Sequence, residues 1–254
     1  MYSYKNDPCS CALAILCEGT VFYQNPLYRA CFGEGFFPPP AEEGQEPTFH
    51  RHPFPYVATN IPLTEEGKTY SLFAALPFAE GDGREVILAR FRRMVTDVWT
   101  LFSRATARPP LRTVTVGMLF HTVCLLAEEE FSLSFHLSGD TPAIDEYVRV
   151  DERGLLMALG ILLPPMLTDG GAGICLRQLV DGWQMLLRGG RPPALPFLRS
   201  LAARLCQSSG ALLRFEEEGF SLFFPMHRPK ALSLRTPNPR RIAHCLHLGS
   251  YLGE

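Results

Sequence analysis

Between residues 84 and 107 apolar side chains recur at Ile87, Phe91, Met94, Val98, Leu101 and Ala105, with spacings of 4, 3, 4, 3 and 4. That is a helical seam of the kind that buries against another helix, and it predicts one long helix. The opposite face carries Arg90, Arg93, Asp97 and Arg104. A seam of this length packs either on its own domain or on a second copy. On the N-terminal side the pattern has a different period. Residues 12–33 predict a strand, a Glu18-Gly19 turn, a second strand and a short helix opening at Asn25-Pro26, where Asn caps and Pro suits the first turn. Residues 34–55 are rich in Pro, Gly and Glu and predict no regular element. Tyr56–Leu63 and Thr69–Phe78 predict two antiparallel strands. Gly81-Asp82-Gly83 then marks a boundary.

Past the long helix the chain changes register again. Val114–Glu129 predicts a helix after a short strand, and Phe131–Leu137 and Tyr147–Val150 predict strands. Asp151 stands where an N-cap is needed before the apolar run LLMALGILL, which predicts a helix stopped by Pro164-Pro165. Gly173–Val180 and Trp183–Arg188 predict a hairpin around Asp181-Gly182. Leu198, Leu201, Ala202 and Leu205 share one helix face, which ends at Ser208-Ser209-Gly210. Ala211–Phe215 and Phe220–Phe224 predict a closing hairpin ended by Pro225.

Composition narrows the picture. A chain of 254 residues, 46% hydrophobic, can bury a sizeable core in one or two domains. A net charge of −2 gives no general pull toward nucleic acid or membrane. No apolar run reaches the ~20 residues of a membrane span, and the N-terminus has no basic stretch leading into an apolar one. Eight cysteines without a CxxC pair fit a reducing cytoplasm better than a disulfide scaffold. His50 and His52 alternate with Phe49 and Arg51, and His244, Cys245 and His247 cluster in a basic tail, but neither spacing is a zinc pattern. Cys9 and Cys11 lack a second pair. The expectation is no metal and no cofactor. A Gly-x-Ser-x-Gly elbow and a Gly-x-x-x-x-Gly-Lys loop are both missing.

The order of elements over residues 113–226 resembles the ATP-binding domain of sensor histidine kinases, of the histidine-kinase and gyrase ATPase superfamily. The resemblance is carried by Val150-Asp151-Glu152-Arg153 opening the fourth helix, by Ser209-Gly210 at a Gly-Gly turn and by Phe224-Pro225 at a closing Leu-Pro. The long helix, with Ser103-Arg104 near its end and Pro109-Pro110 after it, resembles the second helix of the kinases' dimerisation hairpin. Residues 12–78 resemble, more weakly, a PAS sensor domain. The resemblance implies an α+β fold. It comprises a PAS-like antiparallel sheet (1–80), a dimerisation-type helix and linker (84–110), an α/β sandwich (113–226) and a basic tail (227–254).

The family's chemistry has no counterpart at the matching positions. An asparagine that helps hold Mg²⁺ on the triphosphate needs a side-chain oxygen, and Gly160 and Pro164 stand in its place. The aspartate that accepts from adenine is matched by Gly189. The Gly-x-Gly turn that cradles phosphate on backbone N–H groups is matched by Ala194-Leu195-Pro196-Phe197, where Pro196 has no N–H to give. A flexible lid is reduced to the few residues between Gly190 and Pro196. No histidine lies between His52 and His121, and His121 falls in the third helix, away from the family's phospho-acceptor place. The expected function is a non-catalytic, histidine-kinase-like protein that binds other proteins in the cytoplasm: a kinase, a response regulator or a second copy through the 87/91/94/98/101/105 seam. A divergent ATP-binding kinase and a small-ligand sensor acting through residues 12–78 are the alternatives.

Overall fold

The computed structural model describes residues 11–17, 20–33, 47–51, 54–65, 68–79, 81–106, 108–131, 135–164, 166 and 172–228. His52, Cys9, Pro165, His244, Cys245 and His247 lie outside the described residues. The chain divides into two compact units, residues 1–99 and 100–254.

The first unit is built on an antiparallel sheet of β1 (Ala12–Cys17), β2 (Thr20–Gln24), β3 (Thr48–Arg51), β4 (Pro55–Glu65) and β5 (Lys68–Pro77), in the order β2-β1-β5-β4-β3. β3 corrects the expectation of an irregular 34–55 segment. Its alternation, Thr48-Phe49-His50-Arg51, is too short to read as a strand alone and forms by pairing with Pro55–Ala58. α1 (Pro26–Phe32) is capped as expected: Asn25 Oδ1 accepts from Tyr28 N at 2.8 Å. Asn25 also accepts from Leu13 N and donates to the Cys11 carbonyl, which ties the helix start to β1. On one sheet face Ala12, Ala14, Tyr56, Ala58, Phe73 and Ala75 pack with Tyr28 of α1. Phe32 and Tyr28 meet Phe73 and Tyr56 as tilted and edge-on rings, filling this face with aromatic bulk. His50 stacks on Tyr56 at 4.9 Å rather than joining a metal cluster.

α2 (Arg84–Thr106) is one continuous helix. All six seam residues, Ile87, Phe91, Met94, Val98, Leu101 and Ala105, are buried, none more than 7% exposed. They are buried in the single chain, without a second copy.

The second unit contains β6 (Arg112–Thr115), α3 (Val116–Phe131), β7 (Phe135–Gly139), β8 (Tyr147–Val150), α4 (Glu152–Leu162), β9 (Ala172–Leu179), β10 (Gly182–Arg188), α5 (Pro196–Ser208), β11 (Leu212–Glu216) and β12 (Gly219–His227). The sheet order is β6-β8-β12-β10-β9-β7, with β11 also on β12, and β7 runs parallel to β9. The element sequence is the expected one, although α3 runs to Phe131 and β7 starts only at Phe135. Pro225 does not end the last strand. β12 continues to His227, because Met226 N donates toward β10, at the Asp181 carbonyl, so the nitrogen of Pro225 faces the other side. There β11 has finished at Phe223 and β8 starts at Met226, and the gap needs no donor.

Candidate functional site

The site the sequence points to lies around α4. Its N-terminal end is held by polar groups. Asp151 caps the helix, its carboxylate accepting from Gly154 N at 3.1 Å. The same carboxylate accepts two parallel hydrogen bonds from Arg104 on α2, from Nε and Nη2, both at 2.8 Å. A forked pair of this kind is among the stronger side-chain contacts, and here the Asp151 side chain is only 9% exposed. Periodicity places Arg104 on the solvent face of α2. The structure instead ties it to a partner 47 residues away, a contact no local pattern can show. α5 ends at the same place: Asp151 N donates to the Ser209 carbonyl, and the Ser208 hydroxyl donates to the Arg104 carbonyl. A side chain on Gly154 would come within 2.2 Å of Ser209 Oγ, so the third position of α4 has room only for glycine. Gly210 lies after the end of α5 with φ 84°, its α-carbon pressed toward the Arg149 carbonyl. Cys206, on the last turn of α5, is wholly buried, and burial raises its thiol well above its ordinary pKa.

The C-terminal end of α4 is apolar. Every residue from Gly154 to Leu162 is buried, so the helix presents no open face over its last turns. Gly160 is one of these, and Pro164 comes half-buried after the last turn. Met166, buried, rests its backbone on Gly190: a side chain there would meet Met166 Cα at 2.5 Å. Gly189, exposed with φ 109°, turns the chain out of β10. Pro196 is the first residue of α5, and Leu195 makes no side-chain cap. Phe197 is buried and meets Phe102 of α2 at 6.3 Å. Just before α5 the Pro193 carbonyl accepts from Arg199 Nε. Gly160 and Pro164 thus lie at the end of α4, Gly189 at the outlet of β10 and Pro196 at the start of α5.

A cavity of about 10 Å³ lies on the other flank of α4, between Leu119 and Val123 of α3 and Glu152, Leu155 and Leu156 of α4. It holds at most one water. His121 is exposed on α3. Cys124, behind it, has its thiol pushed up to about 12 by burial and by the charge of Glu128. Among the described residues no group of three metal-ligating side chains occurs, and no helix is long and apolar enough to cross a membrane.

No family model matches the chain, and no curated protein does. Among solved structures it is similar to the histidine kinase AdeS of Acinetobacter baumannii, at 12% identity and a TM-score of 0.38, over 56% of this chain and 80% of that one. It is similar to the histidine kinase ThkA, solved in complex with the response regulator TrrA, at 13% identity and 0.38, over 86% and 96%. A histidine kinase from Burkholderia phymatum gives 11% and 0.34, over 57% and 81%. Similarity of this degree decides neither family nor function. What can be said of function comes from the chain's own residues.

Proposed function

We propose that this chain is a non-catalytic, histidine-kinase-like signalling protein that acts by binding another protein in a two-component-type pathway. The observation that carries the reading is the filled end of α4. Where a nucleotide-binding relative needs an oxygen ligand, an acceptor and free backbone N–H groups, this chain has a helix buried all round, Met166 seated on Gly190, and Pro196 opening α5. The element order of residues 112–227 and the Asp151 cap support the histidine-kinase likeness. The antiparallel sheet whose first hairpin passes through Asn25-Pro26 into α1 supports a PAS-like first unit, with its aromatic core in place of a ligand space. Six free thiols among the described cysteines fit work in a reducing cytoplasm.

The seam of α2 bears on the mode of binding. A surface already buried in one chain is not on offer to a second, so homodimerisation through Val98 and its neighbours requires the seam to be uncovered first. We therefore place partner binding on exposed surface and treat the seam as core. Scattering on the wild-type chain tests this: a monomer at high concentration agrees, and a tight dimer broken by Val98→Glu does not.

The nucleotide half of the reading is tested by calorimetry with Mg-ATP at millimolar concentration and by transfer of labelled γ-phosphate. No heat of binding and no incorporation are expected. Saturable, Mg-dependent binding moves the chain to the divergent-kinase reading. The partner half is tested by titrating purified histidine kinases and receiver domains from the source organism against the chain, with binding to at least one expected. Failure across the set, with nucleotide binding also lacking, removes the two-component assignment.

A further inference from the structure

The face of α2 opposite the buried seam is open and carries one sign of charge. Ala89 and Thr96, both exposed, lie seven residues apart on the line that faces away from the seam. Arg92 and Arg93, also exposed, stand one on each side of that line, and Arg90 follows Val86 by one turn. Two large apolar side chains close the stripe, Val86 at 60% exposure and Trp99 at 52%. They are about 20 Å apart along the helix. Between residues 86 and 99 the one carboxylate is Asp97, half-buried and with contacts of its own, so three guanidinium groups face a single acid. Among the described residues no ion pair holds Arg90, Arg92 or Arg93. The Thr96 hydroxyl donates to the Arg92 carbonyl at 2.8 Å and is engaged within the helix.

We propose that this stripe receives the chain's protein partner, and that the partner presents an acidic helix, with carboxylates flanking an apolar line. The proposal rests on the proposed protein-binding role and names its surface. Tryptophan and arginine are the side chains that most often carry an interface. Here they stand on one rigid element, with Trp99 and Val86 as anchors and the guanidinium groups between them. The small side chains of Ala89 and Thr96 let a second helix come close, while Arg92 and Arg93 reach around its two flanks. Charge decides the occupant. Guanidinium groups pair with carboxylates through forked hydrogen bonds. A second copy of the same stripe sets arginine against arginine. A nucleic acid meets a chain of net charge −2 and gives Val86 no hydrocarbon to bury against.

Fluorescence anisotropy on the full-length chain tests this. The probes are a labelled helical peptide with leucines along one line and glutamates on both sides of it, the same peptide with lysines for glutamates, and a DNA duplex. Saturable binding of the acidic peptide is expected at low salt, weakening as salt rises, with the lysine peptide inert. Arg92→Glu/Arg93→Glu should weaken it about tenfold or more, and Trp99→Ala about tenfold. Arg177→Glu/Arg188→Glu makes the same change of net charge at exposed positions of the second unit and should leave binding within about twofold. All four arginines are exposed, so the circular dichroism and melting curves of both double variants stay those of wild type. Lack of binding by the acidic peptide overturns the proposal. So does equal loss in the two double variants, or tighter binding of the duplex. Each of these results leaves the two-component reading standing. That reading fails separately, when kinases and receiver domains do not bind while the acidic peptide does.

Discussion

The two ends of α4 are built by opposite means. At its N-terminus a carboxylate, a guanidinium and the final turn of α5 meet in a closed set of hydrogen bonds centred on Asp151. At its C-terminus Leu159, Gly160, Ile161 and Leu162 are all buried, and Met166 packs on the backbone of Gly190. The first end holds three helices in place. The second is where the resemblance to histidine kinases calls for ligand chemistry. The polar groups of the first end order the fold, and the described residues of the second are buried and apolar. One helix of eleven residues can thus be held at its two ends by different chemistry.

The N-terminal end gives the largest expected effect. Asp151→Ala removes the cap and leaves the Arg104 charge, 25% exposed, without its partner. Losing one member of a largely buried pair costs about 3–5 kcal/mol, the lost cap included. Urea denaturation of the second unit should show it, and Asp151→Asn, which keeps a capping oxygen, should lose about half as much. If alanine costs no more than asparagine, the Arg104 contact contributes nothing and the joint is only a cap.

At the other end the effects are steric. Gly190→Val drives a side chain into the Met166 backbone, and overpacking of this kind costs about 2–3 kcal/mol. An unchanged melting curve would mean that Met166 can move away and that this end is a cleft with a soft cover. Gly160→Asn introduces the side chain that the resemblance to histidine kinases implies at this position. In a buried last turn its amide finds hydrocarbon, so the variant should lose about 2 kcal/mol and gain no Mg-ATP affinity. Calorimetric binding by Gly160→Asn would break the comparison, because the site would then be vacant rather than filled.

Legibility in the sequence divides along the same line. Asp151 is legible because an N-cap is a local event, a short polar side chain just before an apolar run. So are Asn25 before α1 and Gly210 after α5, each fixed by its own few residues. Arg104 is misplaced by periodicity because helical spacing reports only which face a residue is on, and α4 enters that face from 47 residues away. β3 escapes the pattern because a four-residue strand exists only through its pairing with β4. Pro225 reads as a stop because the rule about its missing donor is right for a strand paired on both sides, and here one side is a gap. Around the C-terminal end of α4 the residue types at Gly160, Pro164, Gly189 and Pro196 are legible one by one. Met166 covering Gly190 is not, since that contact depends on how the chain leaves the helix.

The smallest effect is a pH dependence at the N-terminal joint. Cys206 lies on the last turn of α5, its carbonyl accepting from Ser209 N and Ala211 N. Burial raises its thiol above the ordinary value of 9.0, so the folded chain keeps the proton where the unfolded chain gives it up. Below pH 9 the thiol is protonated in both states and its contribution is fully present. Above pH 9 only the unfolded state ionises, and stability falls with rising pH by about 1.4 kcal/mol per unit. Cys206→Ala removes this group and costs about 1 kcal/mol at neutral pH through lost packing. The Cys11 thiol and the Tyr28 hydroxyl, also raised by burial, are common to both proteins and cancel in the difference. The stability advantage of wild type over variant should therefore be flat up to about pH 9 and fall by about 1.4 kcal/mol by pH 10, enough to reverse its sign. Parallel curves across that range would mean that the thiol reaches water and the end of α5 frays. The joint around Asp151 would then be open at one side, and the two ends of α4 less different than their geometry makes them.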